Sequence, residues 1–284
     1  MKKFVYGALC ILLLVSLWIL FREQPVSVQT SLVKRGSFEE HLRVDGTIKS
    51  KTKMTVVAYA TGDLERVDLQ VGDNVEKGQR ITTLFWDIRK DVVSPMTGVI
   101  SKVYRESAGP ILRGEPIVDV IDPDNLEIVA EVLTTDAVRI PEGAETKVTG
   151  IGNEEAVEAK VSRISRAGFM KLSALGIEEE KTEVYVQFIN RPNARIGDNF
   201  HVELFITLYT SNNVLTVPLG ALFKQENNWA VYVVKDKRAR LKTLSIAKKN
   251  ETDALVQSGL QEGEEVILFP GDQIHEGTKI RIQK

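Results

Sequence analysis

Thr61-Gly62-Asp63-Leu64-Glu65-Arg66-Val67 is answered by Thr97-Gly98-Val99-Ile100-Ser101-Lys102-Val103. The match runs without a gap from Thr61 to Leu84 against Thr97 to Val120, at one constant offset. Leu64 answers Ile100, Val75 answers Ile111, and Ile81 and Leu84 answer Ile117 and Val120. Lys77-Gly78-Gln79 answers Arg113-Gly114-Glu115. Apolar positions match apolar, basic match basic, and glycine matches glycine, so the two segments are copies of one unit. Each copy alternates apolar and polar residues between glycines (Gly62, Gly72, Gly78, Gly98 and Gly114), the pattern of short strands joined at tight turns. One copy has a single apolar face and cannot bury it. Two copies face to face close a small sandwich.

The same alternation continues outside the repeat, as in Thr182-Glu183-Val184-Tyr185-Val186-Gln187-Phe188 and Val231-Tyr232-Val233-Val234. No long stretch keeps a 3.6-residue period, so a mainly β protein made of small barrels is expected. The chain has 284 residues, 43% hydrophobic and 27% charged, with a formal net charge of −2. No basic field points to nucleic acid. No Gly-rich phosphate loop is present, so any energy must come from a partner. His41, His201 and His275 are scattered without a companion at metal-ligand spacing. Met54, Met96 and Met170 are isolated and read as packing residues. Glu178-Glu179-Glu180 reads as a solvated charge run. No catalytic constellation, metal site or cofactor is expected.

Lys2 and Lys3 precede an apolar stretch from Phe4 to Phe21 that holds no charge and no proline. At about 1.5 Å per residue it reaches across a hydrocarbon core. A cleaved signal peptide and an uncleaved signal anchor both fit this pattern. The bulky end Leu17-Trp18-Ile19-Leu20-Phe21 offers no small-residue cleavage site and favours the anchor, with residues 1–22 as cytoplasmic start and span. The two lysines keep the N-terminus cytoplasmic. Cys10, the only cysteine, lies inside the apolar stretch, so no disulfide staples the exported part.

Thr61 to Val67 followed by Val71-Gly72-Asp73-Asn74-Val75-Glu76-Lys77-Gly78-Gln79 resembles the first half of a lipoyl or biotinyl domain, and Ser94-Pro95-Met96-Thr97-Gly98-Val99-Ile100 the start of the second. The flanks extend the resemblance. Val33-Lys34-Arg35-Gly36-Ser37-Phe38 and Val44-Asp45-Gly46-Thr47-Ile48 precede the repeat. Ile121-Asp122-Pro123-Asp124-Asn125-Leu126, Arg195-Ile196-Gly197-Asp198-Asn199-Phe200 and Leu215-Thr216-Val217-Pro218 follow it. In this order they resemble the periplasmic adaptors, or membrane fusion proteins, of HlyD-like secretion and resistance-nodulation-division (RND) efflux systems. The resemblance implies an inner-membrane anchor followed by a lipoyl-like (barrel-sandwich hybrid) domain at 57–121, a β-barrel domain at 46–56 plus 122–209, and a membrane-proximal β domain at 26–45 plus 210–284, with the bulk of the chain in the periplasm. It implies partners too: an inner-membrane transporter, either an ABC-type permease or an RND pump, and a homo-oligomeric ring of adaptors. Most members insert a long α-helical hairpin between the lipoyl halves to reach an outer-membrane channel. Here only residues 85–96 separate them, so the hairpin is missing and contact with such a channel is put in doubt.

The joining segment Phe85-Trp86-Asp87-Ile88-Arg89-Lys90-Asp91 decides between carrier and adaptor. Carrier domains modify a lysine at the tip of this turn. Ile88 stands near that position, and Lys90, two residues on, is the remaining candidate for modification. A lipoyl or biotin carrier and an envelope scaffold without a transport role are the alternatives to the adaptor. For an adaptor, the expected partner-contact residues are Phe85, Trp86, Ile88 and Arg89 at this tip, where strand alternation lets only one of Phe85 and Trp86 face inward. Phe169, Met170 and Leu172 form a second candidate in 167–180, read as a loop between barrel strands that contacts the transporter or packs on the barrel.

Overall fold

The computed structural model describes residues 24–152, 155–190 and 196–283. The anchor reading at residues 1–22, with Lys2, Lys3 and Cys10, lies outside the described residues. Among those described, no helix is long and apolar enough to cross a membrane. The chain is mainly β. Strands β1 (Val26–Leu32) and β2 (Lys34–Ser50) lead into the repeat. The repeat carries β3 (Lys53–Val57), β4 (Gly62–Leu64), β5 (Asn74–Val75), β6 (Arg80–Phe85), β7 (Arg89–Val93), β8 (Gly98–Val103), β9 (Gly109–Ile111) and β10 (Pro116–Ile121). After it come β11 (Leu126–Leu133), the single helical turn α1 (Thr134–Ala137), β12 (Glu145–Thr149), β13 (Val157–Leu172), β14 (Glu178–Phe188) and β15 (His201–Pro218). The C-terminal part holds β16 (Phe223–Gln225), β17 (Asn228–Lys235), β18 (Arg238–Lys249), β19 (Asp253–Ser258), β20 (Glu265–Leu268) and β21 (Ile280–Ile282).

The chain divides into two compact units. His41–Leu208 forms one, and the stretches up to Glu40 and from Tyr209 onward form the other. In the first of these, strands in the order β12-β13-β14-β11-β2-β15 close into a barrel through pairing of β12 with β15. Inward positions of each strand fill it: Ile48, Ile128, Val148, Val186, Leu204 and Ile206 are fully or almost fully buried. Closure leaves no open edge on this sheet. In the other unit the order β19-β18-β17-β20-β1-β21 surrounds two apolar clusters, one around Val33, Val231 and Val266 and one around Val28, Ile267 and Ile280. β1 is held antiparallel by β20 and parallel by β21.

The repeat module is two four-stranded sheets, β3-β10-β8-β5 and β7-β6-β4-β9. The sequence offset carries β4 onto β8 and β6 onto β10. It holds further toward the N-terminus too, where Lys53–Val57 of β3 answers Arg89–Val93 of β7. Applied to either whole sheet, it exchanges one sheet for the other. Each sheet therefore takes two strands from each copy, and neither copy owns a sheet. Equivalent residues meet in one core: Val56 and Val92, Leu64 and Ile100, Val75 and Ile111, Ile81 and Ile117 are all buried. β3 pairs with β10 as β7 pairs with β6. The module's strands therefore begin at Lys53, whereas the sequence reading places 46–56 with the barrel.

Two pairs of glycines are fixed by this symmetry. A Cβ on Gly62 would fall on the carbonyl oxygen of Phe85, and one on Gly98 on that of Ile121. Gly78 and Gly114 turn at φ +86° and +89°, where only glycine is unstrained. Their N–H groups donate to Ser94 O and Ala58 O, again positions related by the offset.

Candidate partner-contact surfaces

β6 and β7 form a hairpin whose last pair is Phe85 and Arg89, leaving Trp86-Asp87-Ile88 as the turn. The Trp86 N–H donates to Ile88 O at 3.2 Å and tightens it. Alternation then sorts the two aromatics. Trp86 is half-buried against the module core and meets Tyr59 edge-on, with ring centroids 5.2 Å apart at 83°. Phe85 is 51% exposed and Ile88 56% exposed. Gly62 makes the packing possible, since its absent side chain leaves room for Trp86 Cβ and the Phe85 carbonyl. Arg89 is held by Glu65 on the neighbouring β4–β6 segment.

Lys90 is not on the turn. It lies in β7 opposite Leu84, with Nζ 5.4 Å from the centre of the Tyr59 ring. The Tyr59 hydroxyl donates to Lys90 O at 3.0 Å, and burial, then the nearby Asp91, raise the Tyr59 pKa. A carrier lysine must swing between active sites from an exposed turn. This one is anchored in a strand and lies beside an aromatic face. Tyr59, absent from the sequence-based set, organises both Trp86 and Lys90. It precedes the Gly62 turn, and nothing in its own pattern marks it.

The second candidate segment is corrected by the structure. Residues 167–180 do not form a loop: β13 runs to Leu172 and β14 starts at Glu178, so the hairpin projects as paired strands with only 173–177 as its turn. Ser173 caps the turn, its N–H donating to Ile177 O and its Oγ accepting from the Ile177 N–H. Irregularities in the ladder between Val161 and Gly168 break the barrel register, and from Arg166 to Leu172 every residue is exposed. Thr182 Oγ1 lies 3.0 Å from both Ser165 O and Ala167 O at the irregular stretch. Met170 and Leu172 share one strand face, opposite Glu180 and Glu178, while Phe169 and Lys171 face the other way. Lys171 reaches Glu131 on β11. Leu175, at 86% exposure, and Ile177 extend the apolar surface around the turn.

At the opposite end of the module from the tip lies a buried charge. Asp119 in β10 has a fully buried side chain. It accepts from Thr55 Oγ1 at 2.6 Å and the Tyr104 hydroxyl at 3.0 Å, and Lys53 Nζ sits 2.9 Å away. Burial pushes its pKa up, but the bonds from Thr55, Lys53 and Tyr104 outweigh that and hold it below the ordinary value. Lys53 is raised above its own, chiefly by its bond to Asp119. The same ammonium lies 3.9 Å from Asp198 in the segment before β15, so one cation ties module to barrel. The signal in sequence was a lone carboxylate between valines, Val118-Asp119-Val120.

Among the described residues, no group of three or more His, Cys, Asp or Glu is placed to hold a metal ion. The chain matches a domain family described as "YknX, C-terminal permuted SH3-like domain" over residues 214–282. It is 22% identical over 201 residues to YknX of Bacillus subtilis (strain 168), named as a candidate efflux system component, covering 67% of this chain and 52% of that protein. It is likewise 22% identical over 226 residues to the macrolide export protein MacA of Escherichia coli O157:H7, covering 76% of this chain and 58% of the relative. The chain thus spans little more than half the length of these relatives. Among solved structures, MacA from Actinobacillus actinomycetemcomitans superposes with a TM-score of 0.65 at 16% identity, over 85% of this chain and 99% of that one.

Proposed function

We propose that this chain serves as the periplasmic adaptor subunit of an efflux or secretion pump. The observation that carries the reading is that two relatives named for efflux and export each align over two thirds or more of the chain. The architecture agrees with it. Small barrels built around packed apolar cores suit a protein that works by binding.

In this reading the repeat module is the lipoyl-like domain, and the unit containing β17–β21 is the membrane-proximal domain, tethered by the apolar stretch at 4–21 as a single-pass inner-membrane anchor. The partner is an inner-membrane transporter, an ABC-type permease or an RND pump. Copies of the adaptor assemble head to tail through heterologous contacts whose rotation closes into a ring. The module tip, bare of any helical hairpin, presents Phe85, Ile88 and Arg89 to a partner, and the β13–β14 hairpin presents Met170, Leu172 and Phe169. Contiguous exposed apolar side chains mark interaction surfaces.

Deleting the gene and restoring the full chain tests this. Export falls and drug susceptibility rises on deletion, and both recover on complementation. Unchanged export and susceptibility overturn the proposal in favour of a scaffold. Intact mass of the purified protein provides a second check: a lipoate or biotin adduct at Lys90 overturns it in favour of a carrier.

A further inference from the structure

Where the described chain begins, Pro25 lines a cavity of about 570 Å³. Four cations line it, Lys237, Arg238, Lys279 and Arg281, against one carboxylate, Asp236. Lys237 and Arg281 are exposed, whereas Arg238 and Lys279 are half-buried and Arg238 donates to Gly277 O at 2.6 Å. The formal net charge of the whole chain is −2, so this local excess is not a reflection of composition. The fold gathers it from two places. Asp236 and Lys237 form the two-residue turn between β17 and β18, both with left-handed φ (+52° and +56°). Lys279 bridges to Arg238, and β21 then runs parallel to β1 from the pair Val26–Ile280. Ile280, part of the buried cluster, and the 42% exposed Ile282 add apolar surface to the lining. Beside it, Val26 and Val28 line a second cavity with Phe269, which is 76% exposed.

The sequence places an apolar stretch at 4–21, with only Arg22, Glu23 and Gln24 before Pro25. A fully extended chain covers roughly 3.5 Å per residue, so Pro25 lies within about 14 Å of the end of that stretch. A bilayer holding the stretch would bring its headgroup layer to this cavity. Surface potential from anionic lipids acts over about a Debye length, roughly 8–10 Å.

We propose that the cavity around Pro25 is a docking site for the anionic phospholipid surface of the membrane, its exposed cations Lys237 and Arg281 taking the headgroup phosphates and Ile282 the first acyl carbons. This rests on the anchor reading given above. Phe269, beside the cavity, supplies an exposed apolar ring that can enter the headgroup–acyl boundary. The contact would fix how the unit rests on the membrane, beyond what a flexible tether can do.

The test uses the full chain in vesicles of phosphatidylcholine alone, or with phosphatidylglycerol, and reads acetylation of individual lysines by mass spectrometry. Phosphatidylglycerol is expected to slow modification of Lys237 about five-fold, leaving Lys77 and Lys224 unchanged. About 1 kcal/mol per basic residue near an anionic surface corresponds to that factor. Molar salt, or Arg281→Glu at an exposed position, is expected to abolish the difference. Equal modification in both vesicles overturns the proposal. So does equal protection by inorganic phosphate with phosphatidylcholine vesicles, which would make the cavity a site for free anions. Extraction with alkaline carbonate reads the anchor separately. A chain that resists extraction but shows no lipid-dependent protection sinks the docking site alone. One that washes off yet is protected by phosphatidylglycerol sinks the anchor alone.

Discussion

The turn at 85–89 and the segment at 121–125 occupy equivalent places in the two copies of the repeat, and they meet different fates. The first ends the β6–β7 hairpin with Phe85 and Ile88 exposed. The second leads out of β10 into the barrel and is bonded throughout. Lys51 N–H donates to Asn125 O, Asp122 N–H to Thr52 O, and Ser50 Oγ to Asp122 O. The same asymmetry runs through the cross-strand pairs. Thr83 faces Asp91 near the tip, where Thr83 Oγ1 donates to Asp91 at 3.3 Å. At the offset positions the residue types are exchanged, so that Thr55 faces Asp119. There the hydrogen bond shortens to 2.6 Å and Lys53 and Tyr104 close around the carboxylate. A duplicated unit has become a molecule with one wired end and one open end. The strand plan is shared; the difference lies in where the chain goes at each end and in the side chains gathered there.

That contrast can be broken at its strongest point first. Gly98→Ala places a methyl group on the Ile121 carbonyl at the wired end, where the chain cannot yield, and is expected to cost about 3 kcal/mol in urea unfolding. Gly62→Ala makes the equivalent clash at the open end, where the hairpin can shift. A smaller loss there supports the asymmetry, and an equal loss removes it.

Asp119→Asn comes next. It leaves Lys53 with only the more distant carboxylate of Asp198 and is expected to cost about 2 kcal/mol, discounted because Lys53 is itself partly exposed. Because the Asp119 pKa is lowered on folding, its ionic contribution is present above the unfolded carboxylate range, near 3.9, and lost as pH falls through the folded value. Acid titration of stability should therefore show a loss below about pH 4 in the native chain that is smaller in Asp119→Asn. Identical acid profiles would remove Asp119 from the account.

Trp86→Ala is expected to cost about 1.5 kcal/mol, from lost core packing and the edge-on contact with Tyr59, in thermal or chemical unfolding. The smallest stability effect belongs to Phe85→Ser with Ile88→Ser, within about 0.5 kcal/mol of the native chain. Export should nonetheless drop with this pair, and full export with an unchanged fold would take the tip out of the proposed interface. Met170→Ser with Leu172→Ser gives the parallel measurement for the barrel hairpin.

The repeat was legible because duplication preserves residue class at a fixed offset. Leu64 and Ile100 or Ile81 and Ile117 needed no structure to be paired. How the copies exchange strands was not legible: alternation says that one face of β6 is buried, not which sheet buries it. The same limit put β3 with the barrel, although Lys53, Val56 and Val57 match Arg89, Val92 and Val93. The 167–180 segment was read as a loop because its strands run past the barrel into solvent, where no buried face imposes a period of two. At the tip, alternation rightly allowed only one of Phe85 and Trp86 inside. Which one depended on Tyr59, far from the turn in sequence.

The pairing of β1 with β20 and β21 has a consequence for the order of events during synthesis. Val26 waits for Ile280, and Gln29 for Leu268, nearly the whole chain later. The repeat module needs only residues 53–121 to close its core. Loop-closure entropy and contact order both favour the local assembly. As the chain emerges, the module should become protected while the first strand remains without partners until the last residues arrive. Pulse-labelled hydrogen exchange during refolding would show amides of Ile81 and Ile117 protected before that of Val28, and the reverse order would mean that the ends meet first.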